Sequence, residues 1–210
     1  MTRPARFITF EGGEGTGKST QARHLSVRLQ EWGIACILTR EPGGAPGAEE
    51  IRHLLVEGAP GRWDALTEML MMFAARTEHV LRTIRPALDR GAWVLSDRFT
   101  DSTYAYQGAG RGLTAETIAE VERAVLSGWR PDLTLILDLP VEEGLRRAHS
   151  RHSAEDRYEK FDVGFHSKLR DFYRDLARRE PERCVLIDAQ GSETDVATQI
   201  WLTVADRFKI

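Results

Sequence analysis

The run Gly12-Gly13-Glu14-Gly15-Thr16-Gly17-Lys18-Ser19, with Thr20 behind it, has the spacing G-x-x-x-x-G-K-[ST]. Its glycines let the backbone reach positive φ and approach a ligand closely, so successive N–H groups can turn inward around phosphate oxygens. In such a loop Lys18 reaches the β- and γ-phosphates, and the Ser19 hydroxyl takes Mg²⁺. The N-terminus of a following helix adds a field that favours anions. Gly12 to Thr20 therefore point to binding of a nucleoside triphosphate.

Further groups with phosphate chemistry stand at the ends of apolar runs. Asp97 closes one of them, where a carboxylate can serve Mg²⁺ directly or through water, and Arg98 beside it suits a phosphate. Arg76 follows Phe73 by three residues, so on a helix the two share a face; an aromatic ring next to a fork of donors can stack on a base and bond its edge. Arg146, Arg147, Arg151 and Arg157 crowd one segment, about residues 146–160. Arg147 and Arg151 would repel across one helical turn by a few tenths of a kcal/mol, and a docking polyanion would reverse that. A lid carrying arginines fits phosphoryl transfer, in which cations surround charge spreading over the moving group.

These residues need a scaffold. Five short apolar runs read as strands: Phe7–Phe10, Ala35–Leu38, Ala92–Leu95, Leu133–Leu137 and Cys184–Ile187. They are apolar on both faces and alternate with helix-period segments, which indicates a parallel sheet covered on both sides. Ligands gather at the carboxyl ends of such strands. The phosphate loop, Thr39-Arg40-Glu41-Pro42-Gly43-Gly44, Ser96-Asp97-Arg98-Phe99, Asp138 and Asp188-Ala189-Gln190-Gly191 all fall there. From Asp64 to about Asp89 the pattern is helical, with a kink or a second helix expected near Pro86.

With 210 residues and no linker, the chain reads as one domain, 1–210. A formal net charge of −3 argues against a nucleic-acid binder. No run approaches a membrane span, and the short stretch before the first strand leaves no room for a signal peptide, so the cytoplasm is expected. Cys36 and Cys184 read as buried small hydrophobes rather than a disulfide or metal pair. Basic residues are almost all Arg, with Lys only at 18, 160, 168 and 209, and Asn is absent. That bias looks like genomic base composition, so only arginines placed by other observations count.

Taken together, the strings Phe10 to Thr20, Thr39 to Gly44, Phe73-Ala74-Ala75-Arg76, Asp97-Arg98-Phe99, Thr103-Tyr104-Ala105-Tyr106-Gln107-Gly108 and Arg130-Pro131-Asp132-Leu133-Thr134 resemble the thymidylate kinases over nearly the whole chain. The resemblance implies a P-loop NTPase fold with a five-stranded parallel sheet, a homodimer, Mg²⁺, and transfer of a phosphoryl group from ATP to dTMP. It implies that Glu14 binds the sugar 3′-hydroxyl, Arg76 the thymine edge with Thr103 nearby, and that Tyr106 packs under the sugar while Gln107 also faces the acceptor nucleotide. Arg98, with Arg52 and Arg40, would hold the acceptor phosphate, and Ser19 and Asp97 would organise Mg²⁺. Where members often carry a stacking aromatic, this chain has Met72 next to Phe73; either could lie on the base, and Phe73 is favoured. Gly15 stands where the eukaryotic type carries an Arg, so the charge is expected from Arg147, Arg151 and Arg157, with Arg157 first. The rival readings are another nucleoside monophosphate kinase, such as a guanylate-directed one, and a nucleotide-dependent switch. The switch lacks a guanine-reading N-K-x-D motif, which is impossible without Asn.

Overall fold

A computed structural model describes residues 4–150 and 157–210. Its centre is a five-stranded sheet in the order β2-β3-β1-β4-β5, every neighbouring pair parallel. The strands are β1 (Phe7–Glu11), β2 (Cys36–Arg40), β3 (Trp93–Asp97), β4 (Leu133–Asp138) and β5 (Cys184–Asp188). Each runs beyond its apolar core into a charged residue. Phe10 pairs with Asp97 and Asp97 with Arg40, so ladder hydrogen bonds carry these side chains out to a common edge.

Between the strands lie α1 (Lys18–Glu31), α2 (Pro46–Val56), α3 (Ala65–His79), α4 (Arg85–Asp89), α5 (Thr100–Thr103), α6 (Ala115–Leu126), α7 (Val141–His149), α8 (Val163–Arg179) and α9 (Glu193–Phe208). On one face of the sheet, Ile8, Phe10, Leu95 and Leu135 pack against Leu25 and Leu29 of α1 and Ile200 and Val204 of α9. On the other face, Phe7 and Val94 meet Ile84, Ala87 and Leu126, and Ile136 meets Leu169 and Tyr173 of α8. Both faces are thus buried, which is why the strands read as continuous apolar runs.

Two wide helical turns shape the edge that matters. The first, Val80–Ile84, joins α3 to α4, so the expected break near Pro86 becomes a π turn with Pro86 in the first turn of the next helix, where a missing N–H costs nothing. The second, Tyr104–Gly110, continues α5. Its looser winding buries the consecutive residues Ala105, Tyr106, Gln107 and Gly108 together. Among the described residues no helix is long and apolar enough to cross a membrane.

Candidate active site

The phosphate loop leaves β1 at Glu11 and enters α1 at Lys18. Gly15 and Gly17 take φ of +68° and +91°, conformations that favour glycine. A Cβ on Gly15 would stand 1.8 Å from the carbonyl oxygen of Gly144, so α7 rests with its backbone directly on the loop. An Arg at 15 has no room, in keeping with the expectation that cations come from outside the loop. Lys18 Nζ donates to Gly12 O at 3.1 Å and Gly13 O at 2.6 Å. Burial and the neighbouring Arg98 guanidinium pull its ammonium down to about 8.

Ser19 Oγ donates to Asp97 Oδ2 at the mouth of the loop. A hydroxyl and a carboxylate are hard oxygen donors, and the pair fits Mg²⁺, which takes few protein ligands and fills its shell with phosphate oxygens and water.

Arg98 sits at the turn out of β3 with φ of +74°, its N–H donating to Phe10 O at 2.9 Å. Its guanidinium donates to Glu14 Oε1 at 2.9 Å and lies 4.8 Å from the centre of the Tyr106 ring. Tyr106 donates its hydroxyl to the same Glu14 oxygen at 2.6 Å. Burial works against the Glu14 charge, but Arg98 and Lys18 outweigh it and hold the carboxyl down at about 2. Glu14, Arg98 and Tyr106 therefore form one closed, charged unit.

These groups border two clefts. One, of about 640 Å³, is lined among others by Met72, Arg76, Phe99, Thr103, Tyr106, Gln107 and Tyr158. The other, about 950 Å³ and strongly polar, is lined by Gly15, Gly17, Lys18, Ser19, Arg40 and Asp97. Glu14, Glu41, Arg52, Arg98 and Glu159 border both. Arg52 donates to Pro42 O at 2.5 Å, whereas Arg40, at the outer rim, pairs with Glu49 at 3.1 Å.

Arg76 is buried and held from several sides. Its Nε donates to Glu41 at 2.7 Å, one terminal nitrogen to Thr103 Oγ1 at 3.1 Å and the other to Phe99 O at 3.1 Å. The second oxygen of Glu41 meets His79 Nδ1 at 2.9 Å, and His79 Nε2 meets Thr39 Oγ1 at 2.7 Å. Glu41 and His79 were given no role by the sequence. The one signal for His79 was its spacing, three residues after Arg76 on the same helix face. Glu11, buried behind the loop, was also missed: it accepts from Phe99 N at 2.7 Å, Ser102 Oγ at 2.6 Å and Tyr173 OH at 2.9 Å.

Two expectations need correction. Phe73, favoured to lie on the base, is 1% exposed and packs with Met69 and Ile118, away from the cleft. Its ring lies 4.9 Å from the Arg76 guanidinium carbon and supports that side chain, while Met72 lines the cleft. Neighbouring positions on a helix differ by about 100°, and here that rotation carries Phe73 into the packing with Met69 and Ile118. Arg157, placed first among the cations for the transferred phosphate, is 0% exposed. It donates to Leu55 O, Ala59 O and Pro60 O at 2.9, 2.9 and 2.7 Å and pairs with Glu68 at 2.5 Å. These contacts tie its own segment to the 55–60 stretch and to α3. Arg147 is 40% exposed on its side chain and pairs with Glu143 at 2.8 Å, and Arg146 pairs with the same carboxylate. Arg151 lies outside the described residues. Asp138, at the end of β4, is taken up by Arg170 at 2.7 and 3.0 Å.

The profile of the family described as Thymidylate kinase matches residues 10–200. A protein named thymidylate kinase from Caulobacter vibrioides is 58% identical over 96% of this chain and 97% of its own, and one from Nitrobacter hamburgensis is 51% identical over 98% and 90%. The crystal structure of thymidylate kinase from Ehrlichia chaffeensis superposes with a TM-score of 0.76 at 34% identity, covering 95% of this chain and 98% of that one. The family match over residues 10–200 and relatives at 58% and 51% identity over nearly the whole chain give one answer: the chain belongs to the thymidylate kinase family.

Proposed function

We propose that this chain transfers the γ-phosphate of MgATP to dTMP, giving dTDP on the route to dTTP. The observation that carries the reading is that the phosphate-loop cleft and the Arg76 cleft share Glu14, Arg52 and Arg98. Two polyanions bound in the two clefts meet phosphate to phosphate at those residues. Arg98 and Arg52, with Arg40 at the rim, hold the acceptor phosphate; Glu14 takes the sugar 3′-hydroxyl over the Tyr106 ring. Arg76 and Thr103 read the thymine edge, with Gln107 in the same wall and Met72 against the base through its thioether.

The acceptor phosphate is already anionic near neutral pH, so in-line attack on the γ-phosphorus needs no strong general base. The protein aligns the two phosphates and supplies cations as charge develops. Lys18 does so from within the loop and Arg147 from α7. Ser19 and Asp97 would hold Mg²⁺, which when bound neutralises charge on the triphosphate. The protein acts in the cytoplasm as a homodimer, with Leu66, Leu70 and Leu81, all strongly exposed on α3 and the turn after it, as the surface a second copy covers.

A panel of monophosphates with ATP tests the reading. dTMP is the expected substrate. dUMP, which lacks one methyl group, should lose at most about tenfold in kcat/KM. dCMP should be far poorer, because its 4-amino group donates where Arg76 requires an acceptor. Turnover of dCMP equal to that of dTMP would remove the thymidine assignment, and ATP hydrolysis indifferent to any monophosphate would point to a switch.

A further inference from the structure

Glu68 belongs to neither cleft, yet it shares a face of α3 with two residues that line one, Met72 and Arg76, at successive spacings of four. It is fully buried. Its Oε2 faces two guanidiniums, Arg157 at 2.5 Å and Arg111 at 3.0 Å. Its Oε1 accepts from the amide nitrogen of Gln107 at 2.7 Å. With two guanidiniums facing its other oxygen, Oε1 takes the NH₂ end of the amide and leaves the carbonyl oxygen for other partners. Gln107 itself lines the cleft read here as the dTMP site.

The same carboxylate fastens a second wall. Arg157 precedes Tyr158 and Glu159, both of which border that cleft, and the Tyr158 ring meets Tyr106 edge to face at 5.2 Å. One buried charge thus sets the amide on the wide turn after α5 and seats the chain at 157–159 against it.

We propose that Glu68 is a positioning residue for the acceptor nucleotide: it orients the Gln107 amide and holds the Arg157–Glu159 stretch as part of the cleft. It acts on acceptor binding through Gln107 and Tyr158, which line that cleft and not the phosphate-loop one.

The inference rests on the reading of this cleft as the dTMP site. Wild-type enzyme that fails to phosphorylate dTMP refutes that reading, whatever Glu68 does. With dTMP accepted, Glu68→Gln is expected to raise the dTMP KM about tenfold, with kcat and the ATP KM within about twofold, since an amide in place of the carboxylate no longer dictates which end of Gln107 faces it. Gln107→Met leaves the carboxylate and both arginines in place and serves if Glu68→Gln does not fold. It must raise the dTMP KM in the same selective way, and where both variants fold, Glu68→Gln added to it must raise the KM less than it does alone. A folded Glu68→Gln enzyme with wild-type dTMP KM overturns the proposal. So does one in which kcat and both KM values shift together, or a Gln107→Met enzyme with unaltered KM.

Discussion

In the acceptor cleft, Arg76 and Arg98 each meet a carboxylate inside the fold, Glu41 at 2.7 Å and Glu14 at 2.9 Å. On α7, Arg146 and Arg147 share Glu143 at a surface where their side chains are 76% and 40% exposed. Breaking the Arg76–Glu41 pair would strand a charge in the interior, and Arg98–Glu14 is largely shielded from water. The exposed pairs are worth about 0–1 kcal/mol and yield readily to a stronger anion. On the function proposed above, one region is set in advance for a nucleotide that must be read in detail, and the other keeps cations within reach of a charge that exists only during transfer. Arg157 sits on the α7 side in sequence but shares the physics of the acceptor side.

The sharpest way to break this contrast is to remove cations from each region and watch different quantities. Lys18 belongs to the loop itself, and Lys18→Ala should lower kcat/KM by about 10³-fold with the fold intact, as read by steady-state kinetics and thermal melting. Arg157→Ala should act through stability. Loss of a buried partner costs about 3 kcal/mol, or about 10 °C in Tm for a chain of this size. If Arg157→Ala melts like the wild type but turns over slowly, its assignment as an anchor is wrong and the earlier one returns. Arg147→Ala should reverse that pattern, lowering kcat about tenfold with Tm within about 1 °C; a large drop in Tm would show that α7 is built like the acceptor cleft after all.

A separate test, read in pH, concerns Glu11 behind the loop and Glu14 within it, whose carboxyls are shifted in opposite directions. Burial first, and then Asp101, push the Glu11 carboxyl up to about 7, against an ordinary value of 4.5. Between those values the native state holds a proton that the unfolded chain releases, so this group makes stability fall as pH rises from 4.5 to 7. Glu11→Gln should flatten that slope in urea titrations at pH 5 and 7.5, and an unchanged slope would place the proton elsewhere. Glu14, held down at about 2 by Arg98 and Lys18 in spite of burial, contributes stability that is complete above 4.5 and fades as pH falls toward 2.

What the sequence could disclose follows the same division. The phosphate loop was legible because its chemistry is local: eight consecutive residues fix the spacing, and the apolar run and helix on either side fix the context. The sheet was legible because strands buried on both faces leave continuous apolar runs. The lining of the second cleft was legible only where a side chain repeats a family string, as Arg76 and Gln107 do. Phe73 was misplaced because periodicity gives the stripe of a helix but not its rotation against a cavity, and one position is about 100° of error. Arg157 was misread because a crowd of arginines in sequence says nothing about Glu68, roughly ninety positions away, waiting beneath one of them. The pairing of Glu41 and His79 escaped for the same reason: it spans 38 positions, and although Glu41 lies within the Thr39–Gly44 string, nothing in that string points to His79.

The seat of α7 on the phosphate loop has a mechanical consequence. Side chains can swing out of a neighbour's way, but peptide groups cannot, so Gly144 is fixed where its carbonyl meets Gly15. Any travel of the arginine helix must pivot beyond that fulcrum, and from Gly144 to His149 the remaining arm is only about 7 Å long. A lever so short displaces its tip very little. If this helix delivers charge as proposed, the long, hinged arginine side chains must do the moving rather than the rod that bears them.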